Sequence, residues 1–154
     1  MAQRTDSALP HADSPDEWIT IADRELGNIS GSLLGKVSND NVIQCALLAT
    51  EAVLKAIIWK REGWSKWPGK TKHTRYLYYH ELEIMLEKSG AEDSLLSSPG
   101  RLASWNTLVN ANAKQARYSP APTQDAEAWA VAKSARGLDE GVIPWLKRHY
   151  ENLT

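Results

Sequence analysis

The sequence predicts an all-α protein, an antiparallel bundle of four or five helices, on three observations. Residues 41–61, NVIQCALLATEAVLKAIIWKR, carry apolar side chains on nearly every side of a helical wheel, the mark of a central buried helix. Two serine–proline pairs, Ser14-Pro15 and Ser98-Pro99, have the cap-and-first-turn chemistry with which helices begin. No segment alternates apolar and polar residues over the length of a strand.

Taken in order, residues 1–13 show no periodicity and read as a disordered tail, leaving a helical domain over 14–150. Ser14, Pro15 and Glu17 form a capping box, and Trp18, Ile21, Ala22, Leu26, Ile29 and Leu33 keep helical spacing to about Leu34, where Gly35 stops the helix. Ser38-Asn39-Asp40 caps the central helix, which runs to about Arg61 before Gly63. Within it Glu51 and Lys55 sit one turn apart and make a structural polar cluster. GWSKWPGKTKHT, with Pro68-Gly69, is an extended loop. A third helix is expected from Arg75 to Ser89, with Leu77, Leu82, Met85 and Leu86 apolar and Gly90 as its stop. The fourth starts at Ser98-Pro99 and turns Leu102, Trp105, Leu108, Val109, Ala113 and Ala116 inward; the two prolines of RYSPAPT end it. The last begins at Thr123 or Asp125, with Trp129, Ala132, Ala135 and Leu138 at helical spacing and Val142, Trp145 and Leu146 continuing the stripe. Gly137, Gly141 and Pro144 predict a bend or break there.

The formal net charge of −1 implies no whole-molecule attraction to nucleic acid or an anionic membrane, so any such binding belongs to a local patch. The lone Cys45, inside the central helix, reads as a buried structural thiol in a reducing compartment. With no signal sequence and no uninterrupted apolar run of roughly 18 residues, a cytoplasmic location without membrane insertion is expected. No Cys/His cluster has metal-ligand spacing and no glycine-rich phosphate loop occurs, so neither metal nor cofactor is expected.

The patch with chemistry in it is the segment from Arg61 to Tyr79. Lys66, Lys70, Lys72, His73 and Arg75 stand there against Glu62 alone, interleaved with Trp64, Trp67, Tyr76, Tyr78 and Tyr79. Positive charge for phosphates and flat rings for bases are what single-stranded nucleic acid or nucleotide binding requires. The same composition fits a solvated loop whose Trp residues fold onto the bundle, or a partner-protein surface. A second candidate is Arg117 with Tyr118: a bidentate phosphate grip beside a stacking ring, or an Arg that pairs with the buried Glu51 and locks two helices together. Arg75 and His80 also satisfy an Arg-x4-His spacing, but five helical residues rotate about 140°, so they share no face of a continuous helix and His80 reads as a packed or capping residue.

An amphipathic first helix, QCALLATEAVLKAII, YHELEIML and a fourth helix ending in ARYSP together resemble the HEPN domains of prokaryotes over roughly residues 16–150. Gln44, Glu51, Leu54, Lys55 and Ala56 match the second-helix pattern; His80, Leu82 and Leu86 match the third, and Arg117-Tyr118 the end of the fourth. The resemblance implies a helical bundle, frequently a homodimer, in a family that includes metal-independent ribonucleases of toxin–antitoxin and antiviral defence systems. Their working signature is an Arg separated from a His by four to six residues. Here Pro122, Thr123 and Gln124 occupy the positions of that His, and Tyr118, a phenol of ordinary pKa about 10, is a poor substitute base. The expectation is therefore a non-catalytic module that binds RNA, a nucleotide or a partner such as a nucleotidyltransferase or another defence protein. The alternative is a metal-independent ribonuclease working through Arg117 with His80 or His73.

Overall fold

The computed structural model describes residues 12–34 (side chains to residue 30), 38–115 and 123–153. Seven α-helices and one 3-10 turn make up the regular structure of these residues, with no strand among them. They are α1 (Pro15–Leu34), α2 (Asn39–Glu62), the 3-10 turn Arg75–Leu77, α3 (Leu82–Ser89), α4 (Glu92–Leu96), α5 (Pro99–Gln115), α6 (Asp125–Arg136) and α7 (Val142–Glu151).

The core forms around α2 because its sequence is apolar over most of the helix's circumference. Val42, Ala46, Ala49, Val53, Leu54, Ala56, Ile57 and Ile58 are all fully buried, and α1, α3, α6 and α7 pack around it. At 24 residues, with a mean hydropathy of 1.7 over its most apolar window, α2 is long and apolar enough to cross a membrane, contrary to the expectation that the chain holds no such run; 83% of that window is buried in the bundle, as in the core helix of a globular domain. Its ends follow from local chemistry. Ser38 caps it through Asp40 N–H at 3.1 Å, and Gly63, in the left-handed region at φ 68°, donates back to Trp59 O at 2.9 Å.

Helix α1 runs antiparallel to α2. Trp18, near its start, faces Lys55 late in α2. Helix α7 is tied to α1 by Lys147 on Asp23 at 2.8 Å and Tyr150 on Asp16 at 2.5 Å. The capping box at Ser14 forms by half: Ser14 Oγ accepts from Glu17 N–H at 3.3 Å, while Glu17 Oε1 reaches Asp13 N–H, one residue before the cap. Ala12, assigned above to the tail, is 2% exposed and packs in the core.

Three elements differ from the sequence reading. The expected helix 75–89 is broken into the 3-10 turn and α3, because His80 sits at φ 58°, the single non-glycine residue with positive φ among those described. A left-handed residue cannot continue an α-helix. The helical run after it ends at Gly90, whose φ of 77° lies in the left-handed region that favours glycine. Helix α4 was not anticipated; Arg101 closes it by donating to Leu95 O and Ser94 O, both at 3.1 Å. The inner faces of α5 and α6 keep Trp105, Leu108, Ala132 and Ala135 as expected but differ at their margins. Trp105, Leu108 and Ala111 are the buried residues of α5, with Leu102 and Ala113 exposed; Ala128, Val131, Ala132 and Ala135 bury α6 while Trp129 is 56% and Leu138 89% exposed. The alanine stripe lets α6 lie close to α2, which leaves the bulky Trp129 on the outside. The expected break at Gly137–Gly141 separates α6 from α7.

Candidate functional site

One stripe of α2 is not wholly apolar. Gln44, Leu48, Glu51 and Lys55 follow one another at spacings of four, three and four residues, so they lie on one face. Glu51 is 4% exposed, and a carboxylate so buried needs partners. It has two. Oε1 lies 2.6 Å from His80 Nδ1, and Oε2 lies 3.6 Å from Lys55 Nζ. Arg117, the partner weighed for Glu51 above, lies with Tyr118 outside the described residues.

The electrostatics follow from this packing. The hydrogen bond from Glu51 raises the His80 pKa above its ordinary 6.5; burial opposes the rise, the Glu51 charge adds to it and the Lys55 charge opposes it. Burial lowers the Lys55 pKa, against the pull of Glu51. His80 nonetheless keeps 60% of its side chain exposed. Its Nδ1 is taken by Glu51, and no other hydrogen bond to the ring occurs among the described residues.

His80 opens onto a cleft of about 210 Å³ between α2, α5 and the segment before α3, lined by Gln44, Leu47, Leu48, Glu51, Tyr79, His80, Asn112 and Gln115. Leu47 and Leu48 supply an apolar wall; Gln44 and Gln115 are exposed amides. Tyr79, 50% exposed, forms the rim, with Lys70 Nζ 5.2 Å and the Arg75 guanidinium 5.0 Å from its ring centroid. The rim is thus basic and aromatic at one point.

No protein-family model, curated protein or solved structure matches this chain.

The residues singled out from sequence separate into two groups. His80, Lys70, Arg75, Glu51 and Lys55 meet at or beside the cleft. Trp64 and Trp67 do not: the Trp67 ring lies 5.0 Å from Trp18, 5.4 Å from Trp59 and 5.9 Å from Trp64, so the two are half-buried parts of an aromatic cluster on the bundle. Trp59 Nε1 donates to Trp64 O at 2.7 Å and Tyr78 Oη to Pro68 O at 2.5 Å, which fastens the loop there. Lys72 is exposed and makes no ion pair or hydrogen bond among the described residues. Asn112, Gln115 and Tyr79 were not assigned to a cleft from sequence. Tyr79 carried a signal, as a ring within a basic stretch; NANAKQ, which holds Asn112 and Gln115, carried none.

Proposed function

We propose that this protein is a non-catalytic, HEPN-like binding module for RNA or a nucleotide, and that the cleft beside His80 takes the phosphate. The observation that carries this reading is the Glu51–His80 pair. A buried carboxylate holds the imidazole by Nδ1 and raises its pKa, so the charged form is favoured, and in that form the outer edge of the ring offers a cationic N–H donor to an anion. Lys70 and Arg75 add charge at the rim, Tyr79 a surface for a base, and Gln44 and Gln115 neutral hydrogen-bonding groups. Fluorescence anisotropy with single-stranded RNA tests it. The double substitution Lys70→Ala/Arg75→Ala is expected to weaken binding and to lower the slope of log affinity against log salt by about 1.4, the effect of two lost phosphate contacts; binding unchanged by it, and by His80→Ala, sinks the reading.

The same pair favours one second reading, metal-independent RNA cleavage, since an imidazole oriented by a carboxylate is suited to move protons to and from a ribose hydroxyl. Cleavage in EDTA that disappears in both His80→Ala and Arg117→Ala would establish the enzyme instead. Sedimentation of the purified protein tests the homodimer that the resemblance implies, and co-purification with a nucleotidyltransferase or defence protein tests the partner.

A further inference from the structure

We infer that Asn112 is a positioning residue of the cleft: from α5 it holds the His80 backbone in the left-handed conformation that aims the imidazole between Glu51 and the cleft. Asn112 Nδ2 donates to His80 O at 2.9 Å, across 32 residues of sequence. That carbonyl belongs to the residue at φ 58°, a left-handed conformation that a side chain disfavours. Strain of this kind persists only where surrounding contacts over-determine it. Here there are two from other elements, one at each end of the residue: Glu51 of α2 grips the side chain at 2.6 Å and Asn112 of α5 grips the main chain. Leu82 N–H shares the same carbonyl at 3.1 Å, tying the clamp to the first turn of α3. A side-chain amide suits the task because it donates without charge, and so leaves the ionisation of His80 to its other neighbours.

The charges acting on His80 are those of Glu51 and Lys55 from α2; Tyr79 of its own segment lines the cleft with Lys70 and Arg75 at the rim, and Asn112 and Gln115, the cleft-lining residues of α5, carry no charge. Loss of the clamp therefore acts on His80 through geometry alone. With the carbonyl released, the backbone relaxes from φ 58°, the ring moves off Glu51, and the imidazole loses the bond that favours its charged form. The inference deepens the reading of His80 as the phosphate-binding group and rests on it for its functional consequence.

The test is an NMR titration of the His80 ring in the wild type and in Asn112→Ala, beside RNA binding by both. In Asn112→Ala the His80 titration is expected to shift down toward 6.5 and RNA affinity to fall about five- to tenfold, the effect of one lost hydrogen bond. A folded Asn112→Ala protein in which His80 titrates as in the wild type overturns the clamp, whatever the RNA does. Wild-type protein that binds no RNA overturns the functional reading instead, and the titration still decides the clamp. If Asn112→Ala does not fold, Asn112→Ser, whose hydroxyl is too short to reach the carbonyl, must show the same downward shift. In the wild type the Asn112 side-chain amide protons must exchange with solvent more slowly than those of the exposed Gln115; equal rates overturn the inference without any substitution.

Discussion

The two ends of the segment that follows α2 differ in how completely their groups are matched. At the Trp64–Trp67 end, rings pack on rings, Trp59 Nε1 and Tyr78 Oη have main-chain acceptors, and Lys55 caps the cluster 4.8 Å above the Trp18 ring. The Trp18 indole N–H is the one buried side-chain polar atom there, among the described residues, without a partner. At the His80 end, a buried carboxylate holds an exposed imidazole on a strained backbone, and amide side chains face open space. The first arrangement stabilises the fold; the second carries backbone strain and an exposed imidazole, and it is the place proposed above for an anion. Both use residues of α2 only a few turns apart, so one helix serves as floor for each.

Three substitutions test this division. The largest effect is expected from Trp67→Ala, which removes the ring that the other three surround: about 3 kcal/mol of stability by urea unfolding, with RNA affinity per folded molecule unchanged. A loss of affinity larger than the loss of folded protein would merge the two regions into one site. Glu51→Gln follows, at about 2 kcal/mol, because it leaves Lys55 in the bundle without its counter-charge. It is also expected to bring the His80 titration down toward 6.5, and an unmoved His80 signal would show that Glu51 does not govern that ring. The smallest effect belongs to His80→Asn, since Asn tolerates the left-handed region and spares the backbone. Its signature lies in the pH dependence. The raised pKa of His80 means that the folded state holds its proton more tightly than the unfolded chain. The added stability is full below about pH 6.5 and is lost as pH rises through the higher native value. The wild type should therefore exceed His80→Asn most at the acid end, and the two should converge once pH has passed the raised native value. His149, whose pKa burial lowers, works in the opposite direction in both proteins and cancels in the difference. A difference that grows with pH would reverse the assigned role of Glu51.

Much of the fold was legible because it is written in local terms. The apolar wheel of residues 41–61, the Ser14-Pro15 and Ser98-Pro99 starts and the break at Gly137–Gly141 each depend on chemistry within a few residues, and each is where it was expected. The errors share a different cause. Trp129 kept helical spacing and yet faces outward, because spacing fixes a stripe only to within one residue and the alanines beside it pack closer to α2, while Leu138 is exposed because α6 ends at Arg136 and leaves it in the turn before α7. The helix expected over residues 75–89 failed at His80, where contacts from α2 and α5 override local preference.

By itself, the sequence determined that the chain would be helical, which helix would be central, and that Glu51 would need a partner within the bundle, because periodicity and the cost of a buried charge are properties of the residues themselves. Only the tertiary structure decided which partner Glu51 takes, that Trp64 and Trp67 turn onto the core while Tyr79 turns out, and that Asn112 meets His80. Those outcomes depend on the relative placement of α2, α5 and the segment between them, joined across 29 and 32 residues of sequence, a range over which no local pattern specifies contact.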